Sequence, residues 1–354
     1  MSPQETCILA IESSCDETAA AIVLDGRRVL SNIVATQHDL HSEYGGVVPE
    51  IASRAHLERV LPVVRSALSE AGLPLSRIDA VAAGTRPGLI GSLLVGVSIA
   101  KALAWSLSKP FIGVDHVESH LLAGLLDAEE VPWPALGLVV SGGHTSLFAM
   151  KGPLNPELLG ATIDDAAGEA FDKAAAMLGL PYPGGPYLDA LAEEGDEGAP
   201  VKLPVSLLGK GSLDFSFSGL KTAMLYAIRG KPQRQGKKTV FARELDDLND
   251  SERRALAVSF REAVVAALIT KTRAALEQTG AKTLLTGGGV IANKLLRREL
   301  ETLAREEELL LRLPPMSFCV DNAAMLAAAA HERFLRGDTD TLAATAQPTT
   351  RRAP

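Results

Sequence analysis

Cysteine is scarce in this sequence. The 354 residues include only Cys7, Cys15 and Cys319, and no two of them form a Cys-x-x-Cys pair. Disulfide-stabilised frameworks and cysteine-based metal modules need more cysteines at closer spacing, so both classes are excluded. The N-terminus also lacks the basic region and the long apolar stretch of a secretory signal. These absences indicate a protein of the reducing cytoplasm.

Long apolar runs and an excess of positive charge are also missing. No stretch of about 18 consecutive apolar residues occurs, so neither a membrane-spanning helix nor a membrane partner is expected. The 43 acidic residues outnumber the 35 basic ones and give a net charge of −8, which argues against nonspecific coating of nucleic acid but permits a local basic patch. Aromatic residues make up 4% of the chain, so no stacking platform for single strands is evident.

The residues that are present indicate an α/β protein of about two domains. Hydrophobic residues make up 47% and charged residues 22%, as in a folded globular chain. Strand–turn–strand patterns at residues 8–24 and 136–150 recur in the two halves, and helical stretches alternate with short strands elsewhere. We therefore expect a duplicated architecture with a hinge at residues 129–134. Residues 338–354 show no periodicity and are expected to fray.

The segment His116-Val-Glu-Ser-His120 is the sharpest candidate for a metal site. Residues four apart share one face of a helix, so both imidazoles can reach one cation. Glu118 lies about 200° round the helix from His116, which separates this segment from the His-Glu-x-x-His pattern of zinc proteases. The alternative is a pair of surface or capping histidines at the start of a helix.

A metal at this segment would require a third ligand. Asp321, in Phe318-Cys-Val-Asp-Asn-Ala323, is the best candidate in the sequence. An aspartate at the start of a helix is also a common N-cap, so a purely structural role stays open. Two histidines and one carboxylate, with further coordination positions open, suit ferrous iron or zinc.

Two glycine-rich turns follow predicted strands and leave room for a ligand to approach the backbone. Gly287-Gly288-Gly289 lies between a strand and a helix, where backbone N–H groups can meet a phosphate. Ser141-Gly142-Gly143-His144-Thr145 joins two strands without bulky side chains at the turn. Each could be only a tight turn, but together they favour a nucleotide or acyl-phosphate site. Neither matches Gly-x-x-x-x-Gly-Lys-Ser/Thr, so P-loop chemistry is not expected.

Two aspartates and one alternating segment are less informative by themselves. Asp172 lies beside Lys173 in an otherwise apolar helix, a pairing that is typical of a solvated face. Asp189 follows the turn Tyr182-Pro-Gly-Gly-Pro186 and could be an ordinary first-turn acid that offsets a helix dipole. The segment 214–222 alternates polar and apolar side chains like a strand and then turns at Gly219, which predicts an exposed strand face that carries two serines.

Eight segments taken together, spanning residues 8–337, carry much more information than any one motif. They are Ile11-Glu-Ser-Ser-Cys-Asp-Glu-Thr18, Tyr44-Gly-Gly-Val-Val-Pro-Glu-Ile-Ala-Ser-Arg54, Pro87-Gly-Leu-Ile-Gly-Ser-Leu-Leu-Val-Gly96, the two-histidine segment, Val140-Ser-Gly-Gly-His-Thr145, residues 214–222, Gly287-Gly-Gly-Val-Ile-Ala-Asn293 and Asp321-Asn-Ala-Ala-Met325. In this order they resemble the tRNA N6-adenosine threonylcarbamoyltransferases of the bacterial TsaD type, formerly called O-sialoglycoprotein endopeptidases.

The resemblance implies a two-lobed, actin-like ATPase fold, similar to sugar kinases and Hsp70, with duplicated βββαβα-type lobes and a ligand cleft between them. The N-terminal lobe would comprise residues 1–130, completed by a C-terminal helix near 320–337, and the C-terminal lobe would comprise residues 134–319 with helical insertions. The implied reaction moves the threonylcarbamoyl group of threonylcarbamoyl-AMP to N6 of the adenosine just 3′ of the anticodon, in tRNAs that read codons beginning with A.

The resemblance also implies the cofactor and the residues of the site. His116, His120 and Asp321 would hold one divalent metal ion per subunit, with Fe²⁺ as the first choice and Zn²⁺ or Mg²⁺ as alternatives. No catalytic residue beyond the metal site is assigned. The residues implied to bind substrate are Val139, Val140, Ser141, Gly142, Gly143, Asp172, Gly185, Asp189 and Asn293.

The implied partners are tRNA, the paralogue TsaB on the N-terminal lobe, the ATPase TsaE and a TsaC-type synthase that makes the adenylate. Three departures from the family pattern limit what is carried over. Ser119 replaces a usual glycine without removing a ligand, and Ala55 replaces an acid commonly found before His56. Residues 230–250 follow no pattern of the family, so no role is assigned to them.

Three other functions stay open on the sequence alone. A metalloprotease is disfavoured because no glutamate directly follows His116. A small-molecule kinase of the same fold would use glycine-rich turns for its phosphates as well. A non-catalytic scaffold paralogue typically lacks the two histidines, and this chain has both.

Overall fold

The computed structural model describes residues 5–195, 201–209, 211–235 and 238–349. The N-terminal sheet has the strand order β3-β2-β1-β4-β5, in which β1, β2 and β3 are antiparallel and β4 and β5 run parallel to β1. Its elements are β1 (Cys7–Glu12), β2 (Glu17–Leu24), β3 (Arg28–Thr36), α1 (His38–Ser42), α2 (Pro49–Ala71), β4 (Ala80–Arg86), α3 (Ile90–Leu107), β5 (Phe111–Asp115) and α4 (His116–His120).

The C-terminal sheet repeats this plan. Its order is β12-β11-β6-β7-β8, again with three antiparallel strands followed by two parallel ones. Its elements are β6 (Ala135–Val140), β7 (Thr145–Met150), β8 (Glu157–Ala161), α5 (Ala167–Met177), α6 (Gly184–Glu193), α7 (Ser218–Arg229), the hairpin β9 (Gln233–Gln235) and β10 (Lys238–Val240), α8 (Asp250–Thr279), β11 (Thr283–Gly287), α9 (Lys294–Glu306) and β12 (Leu310–Arg312).

Both faces of the N-terminal sheet are covered. This explains why residues 7–11 of β1 and 19–24 of β2 are all apolar and do not alternate with polar residues. Successive residues of a strand point to opposite faces. Leu9 and Ile11 accordingly join the core formed with α2 and α3, whereas Ile8 and Ala10 join the core on the other face. That second face is covered by α10 (Ala323–Leu335), which packs against all five strands of the N-terminal sheet.

The segment after α10 differs from the sequence expectation of a frayed tail over 338–354. Residues 338–348 run along the N-terminal lobe, fixed by backbone and side-chain hydrogen bonds, while 350–354 lie outside the described residues. The expectation failed because a chain without periodicity can still bind in extended form when its partners lie elsewhere in the fold. The contacts are Asp340 N–H to the Phe111 carbonyl, Gly113 N–H to Asp340 Oδ2, Lys101 Nζ to the Ala344 carbonyl and Gln347 N–H to the Thr85 carbonyl.

One further expectation needs correction. The predicted strand over 214–222 is wrong, because α7 begins at Ser218 and only Phe215 forms an isolated β-bridge. Among the described residues, one helix, α3, is long and apolar enough to cross a membrane by length and composition alone, with 39% of it buried in the fold. A single helix of this kind is weak evidence for a membrane span, because the core helix of a layered protein meets the same criteria.

Candidate functional site

The two histidines of the sequence motif lie on one short helix at the carboxyl end of β5. The Asp115 side chain caps this helix by accepting hydrogen bonds from the N–H groups of Val117 and Glu118, at 3.0 and 3.2 Å. The cap fixes α4, so the rings of His116 and His120 stand side by side with centroids 4.8 Å apart. Glu118 is not part of this pair, as its helical position predicts.

Asp321 completes a group of three potential metal ligands. Its Oδ1 lies 3.5 Å from His116 Nε2 and 3.2 Å from His120 Nε2. The capping role that the sequence left open for Asp321 is taken by Asn322, whose side chain accepts the hydrogen bond from Met325 N–H at 3.0 Å. Asp321 is therefore directed at the histidines and not at the start of α10.

The chemistry of this group fits a divalent cation. His120 is 1% exposed; within the described chain its Nδ1 makes no hydrogen bond and its Nε2 has Asp321 Oδ1 at 3.2 Å, so this buried imidazole lacks part of its usual set of partners. Burial alone would lower the pKa of His116, but the carboxylates of Asp321 and Glu12 raise it well above its usual value. Two imidazoles and a carboxylate in a negative environment are a suitable ligand set for iron or zinc.

Glu12, at the end of β1, contacts His116 on Nδ1, the ring nitrogen opposite the one near Asp321. Its Oε2 lies 3.0 Å from His116 Nδ1, and its Oε1 accepts a hydrogen bond from Ser14 N–H. A carboxylate on the outer nitrogen of a ligating imidazole fixes the ring and leaves Nε2 for the metal. Glu12 was not among the predicted site residues, although a glutamate at the end of an otherwise apolar strand is a usable signal.

Glu12→Gln is expected to weaken metal affinity by about 10- to 100-fold, because glutamine keeps the volume of the side chain but loses the charge that orients His116. The dissociation constant of the purified protein for Zn²⁺ or Fe²⁺, measured by competition with a chelator, checks this. Glu118→Gln, an equal change on the helix that carries both histidines, is the control and should leave affinity unchanged. Equal affinities for Glu12→Gln and the wild type would remove Glu12 from the site.

The Ser141–Thr145 turn lies beside the metal group, at the carboxyl end of β6. Val139 and Val140 are fully buried in that strand, whereas a Cβ atom added to Gly142 or Gly143 would meet no atom within 4 Å. The carbonyls of Ser141 and Gly142 accept hydrogen bonds from the first N–H groups of α5. The turn is therefore anchored by its carbonyls and open on the side where the two glycines lie.

Gly287 and Gly288 have a different role from the phosphate contact that the sequence suggested. A Cβ atom at Gly287 would lie 2.0 Å from the His120 carbonyl oxygen, and one at Gly288 would lie 2.4 Å from that of Val140. Gly288 also has φ +98°, a conformation that L side chains rarely adopt. These two glycines let β11 pack against both the metal helix and the Ser141 turn, and only Gly289 faces open space.

The remaining substrate candidates form two groups joined by α6. Asp172 Oδ1 accepts hydrogen bonds from the N–H groups of Gly184 and Gly185, at 2.8 and 3.1 Å. Asp189 Oδ1 lies 2.9 Å from Arg261 Nη1 and accepts a hydrogen bond from Asn293 Nδ2 at 2.8 Å. Neither aspartate is merely part of a solvated face, because each fixes the start of a helix.

His144 and Ser119 were not among the predicted site residues, although both belong to segments that form the site. Burial, followed by the charges of His116 and His120, lowers the pKa of His144 to about 4, so this imidazole is neutral at physiological pH. Ser119, the departure from the family pattern, donates its hydroxyl hydrogen to the Asp115 carbonyl at 2.6 Å. That hydroxyl bonds within its own helix and not to the three ligands.

The chain matches a known protein family over most of its length. The family model described as "TsaD: tRNA N6-adenosine threonylcarbamoyltransferase" matches residues 28–328. The chain belongs to this family. The tRNA N6-adenosine threonylcarbamoyltransferase of Moorella thermoacetica is 50% identical over 344 residues, 97% of this chain and 96% of its own length. That of Trichlorobacter lovleyi is 51% identical over 342 residues, with the same coverage.

Solved structures show the fold of this TsaD-family chain. HypF of T. kodakarensis aligns over 95% of the chain and 49% of its own length, with a TM-score of 0.60 and 14% identity. Component A of the Acidaminococcus fermentans (R)-2-hydroxyglutaryl-CoA dehydratase aligns over 93% of the chain and 98% of its own length, with a TM-score of 0.54 and 12% identity. The predicted two-lobed, actin-like α/β fold is confirmed.

Proposed function

We propose that the chain transfers the threonylcarbamoyl group of threonylcarbamoyl-AMP to N6 of the adenosine just 3′ of the anticodon, in tRNAs that read codons beginning with A. Membership of the TsaD family supports the activity. The observation that carries the assignment to this site is the convergence of His116, His120 and Asp321 beside the open Ser141 turn.

The donor in this reaction is a mixed anhydride, so its carbamoyl carbon is already activated. The site therefore needs mainly to position two substrates and to stabilise developing charge. A divalent ion held by His116, His120 and Asp321 would supply Lewis-acid stabilisation of that charge. The bond from N6 to the carbamoyl carbon forms, the bond from that carbon to the phosphate oxygen breaks, and AMP leaves with the electron pair.

The donor's binding residues follow from the arrangement of the C-terminal lobe. Gly142 and Gly143 allow the donor to approach the backbone after Val139, Val140 and Ser141. The other proposed binding residues lie on or next to three helices: Asp172 on α5, Gly185 and Asp189 on α6, and Asn293 just before α9. Their polar groups suit the hydroxyls and amines of the adenylate. Asp189 and Asn293 would act as a hydrogen-bonded unit, because they already contact each other.

We propose Fe²⁺ as the resident ion, with Zn²⁺ as the main competitor and Mg²⁺ as a further alternative. Imidazole ligands favour iron and zinc over magnesium, which prefers all-oxygen coordination. Metal analysis of protein purified without oxygen and without chelators identifies the ion.

The proposed partners are tRNA, TsaB, TsaE and a TsaC-type synthase in the cytoplasm. The outer faces of α2 and α3 carry apolar side chains that a protein partner could cover, among them Leu57, Leu94 and Trp105, which are 64%, 49% and 72% exposed.

Leu94→Glu is expected to weaken binding of recombinant TsaB at least tenfold in a titration, because a charge would be buried at the contact. Leu335→Glu, the same change at a residue that is 64% exposed at the end of α10, is the control. Unchanged TsaB affinity of the Leu94 variant would move the contact elsewhere.

Mass analysis of tRNA nucleosides tests the function. Protein, partners, tRNA, threonine, bicarbonate and ATP are combined, and the expected product is N6-threonylcarbamoyladenosine. Transfer from preformed adenylate without ATP would separate this activity from a small-molecule kinase. Cleavage of glycoproteins, with no modified nucleoside, would instead favour the metalloprotease.

A further inference from the structure

A second group of titratable side chains lies at the other end of the loop that contacts the metal group. Asp16, Glu17 and His38 offer ligand or proton-accepting atoms that all lie within 4.8 Å of one another. His38 Nε2 is 3.1 Å from Glu17 Oε1 and 4.0 Å from Asp16 Oδ2. The side chains of Asp16 and Glu17 are each 11% exposed, whereas that of His38 is 38% exposed.

The strand pairing of the N-terminal lobe holds His38 over Glu17. Glu17 opens β2 and pairs with Thr36, the last residue of β3. Gln37 N–H then donates to the Asp16 carbonyl at 3.1 Å, and α1 begins at His38. The imidazole thus sits between the buried carboxylate and solvent because of backbone geometry and not through a chance surface contact.

The loop between β1 and β2 connects this cluster with the metal group. Glu12 and Ser14 at its start contact His116, and Asp16 and Glu17 stand at its end. The charge of Asp321 acts on Glu17, and the charges of Asp16 and His38 act on Asp172 of the proposed donor pocket. The cluster therefore lies close enough to interact electrostatically with the metal-ligand candidate Asp321 and with Asp172 of the proposed donor pocket.

We infer that Glu17 is the general base that accepts the proton of the adenosine amine, and that His38 passes this proton to solvent. The inference rests on the proposed function and supplies a step for which the metal ligands offer no free base. As the N6–carbon bond forms and AMP departs with the electron pair of the carbon–oxygen bond, one N6 proton moves to the Glu17 carboxylate. His38 takes it from Glu17 at Nε2 and releases it to solvent, to which 38% of its side chain is exposed.

The electrostatics of the pair suit proton transfer near neutral pH. Burial raises the pKa of Glu17 to about 8, the charges of Asp16 and Asp321 act in the same direction, and the hydrogen bond from His38 opposes them. The hydrogen bond to Glu17 raises the pKa of His38. The titratable groups around the two residues are Cys15, Asp16, Asp39, His41, Asp172, Tyr182 and Asp321.

Single-turnover transfer from preformed threonylcarbamoyl-AMP to tRNA, in the reconstituted complex, tests the relay. Glu17→Gln should slow transfer by about 10²- to 10⁴-fold, with unchanged metal content and donor affinity. His38→Gln should slow it less and alter the pH–rate profile. Glu43→Gln, the same change at an exposed residue just after α1, is the matched control and should transfer at the wild-type rate.

The pH dependence of stability tests whether the pKa of Glu17 is raised. A raised pKa means that the folded state binds the Glu17 proton more tightly than the unfolded state, so Glu17 lowers stability as pH rises towards about 8. The melting temperature of Glu17→Gln should therefore fall less than that of the wild type between pH 6 and pH 9. An equal or larger fall would show that the pKa of Glu17 is not raised and would contradict the relay.

Other outcomes overturn the inference in distinguishable ways. Glu17→Gln within threefold of the wild-type rate would remove Glu17 from the reaction. Loss of one equivalent of Mn²⁺ from Glu17→Gln, but not from His120→Ala, would make the cluster a second cation site. A pH-dependent loss in His144→Gln with none in Glu17→Gln would move the base to His144. A wild type that modifies no tRNA would instead overturn the proposed function.

Discussion

His120→Ala is expected to lose its bound metal ion and to slow transfer from preformed threonylcarbamoyl-AMP by about 10³-fold. The metal's Lewis-acid contribution is several kcal/mol, and about 1.4 kcal/mol corresponds to a factor of ten in rate. The fold should survive, because Asp321, which lies 3.2 Å from His120 Nε2, keeps His116 Nε2 as a second partner at 3.5 Å. Metal content by mass spectrometry and single-turnover rates on the same samples measure both effects.

Glu118→Gln is the control for this experiment. It lies two residues from each histidine on the same short helix, yet it is not one of the three converging ligands. The control should retain one ion and the full rate. A His120→Ala protein that keeps both its metal and its rate would show that the three side chains do not form the catalytic site.

Asp189→Ala is expected to lower the free energy of unfolding by about 3 kcal/mol, because it leaves a buried guanidinium with one partner fewer. The Arg261 side chain is only 3% exposed, and Asp189 Oδ1 lies 2.9 Å from its Nη1. Asp189 also orients Asn293, so donor affinity should fall about tenfold or more. Denaturant unfolding and equilibrium binding of a non-hydrolysable adenylate analogue measure the two effects separately.

Glu193→Gln is the matched control, since Glu193 contacts the same guanidinium from a more exposed position, with 31% of its side chain accessible. Its substitution should cost less than about 1 kcal/mol, as is usual for partly exposed ion pairs. If both variants lose the same stability and the Asp189 variant binds the donor normally, Asp189 is a structural residue only.

The periodicity of the sequence predicted most of the fold. Recurrent strand–turn–strand units marked β1–β2 and β6–β7, and the two sheets repeat one strand order. Local patterns failed where tertiary contacts decide the conformation. Residues 214–222 alternate like a strand, yet Ser216 and Ser218 hydrogen-bond the Asp164 carboxylate and a helix starts there. The tail beyond 338 binds β5 through contacts more than 200 residues apart in sequence.

The candidate site could be predicted only in part. The four-residue spacing of His116 and His120 indicated shared ligation, but the proximity of Asp321 follows from how α10 packs across the N-terminal sheet. Glu12 and the Glu17–His38 pair were not assigned, because their contacts depend on strand register and not on a local motif. Gly287 and Gly288 were assigned a ligand role, and their closest neighbours are backbone atoms of the protein itself.

Reconstitution of metal-depleted protein tests whether transfer depends on a metal ion bound by His116, His120 and Asp321. Fe²⁺ or Zn²⁺ is titrated into the apo protein in the presence of its partners, tRNA and preformed threonylcarbamoyl-AMP, and bound metal and modified adenosine are quantified at each point. We expect that transfer rises in proportion to bound metal and saturates at one equivalent, and that Asp321→Ala shows neither. Full transfer by the metal-free protein would contradict it.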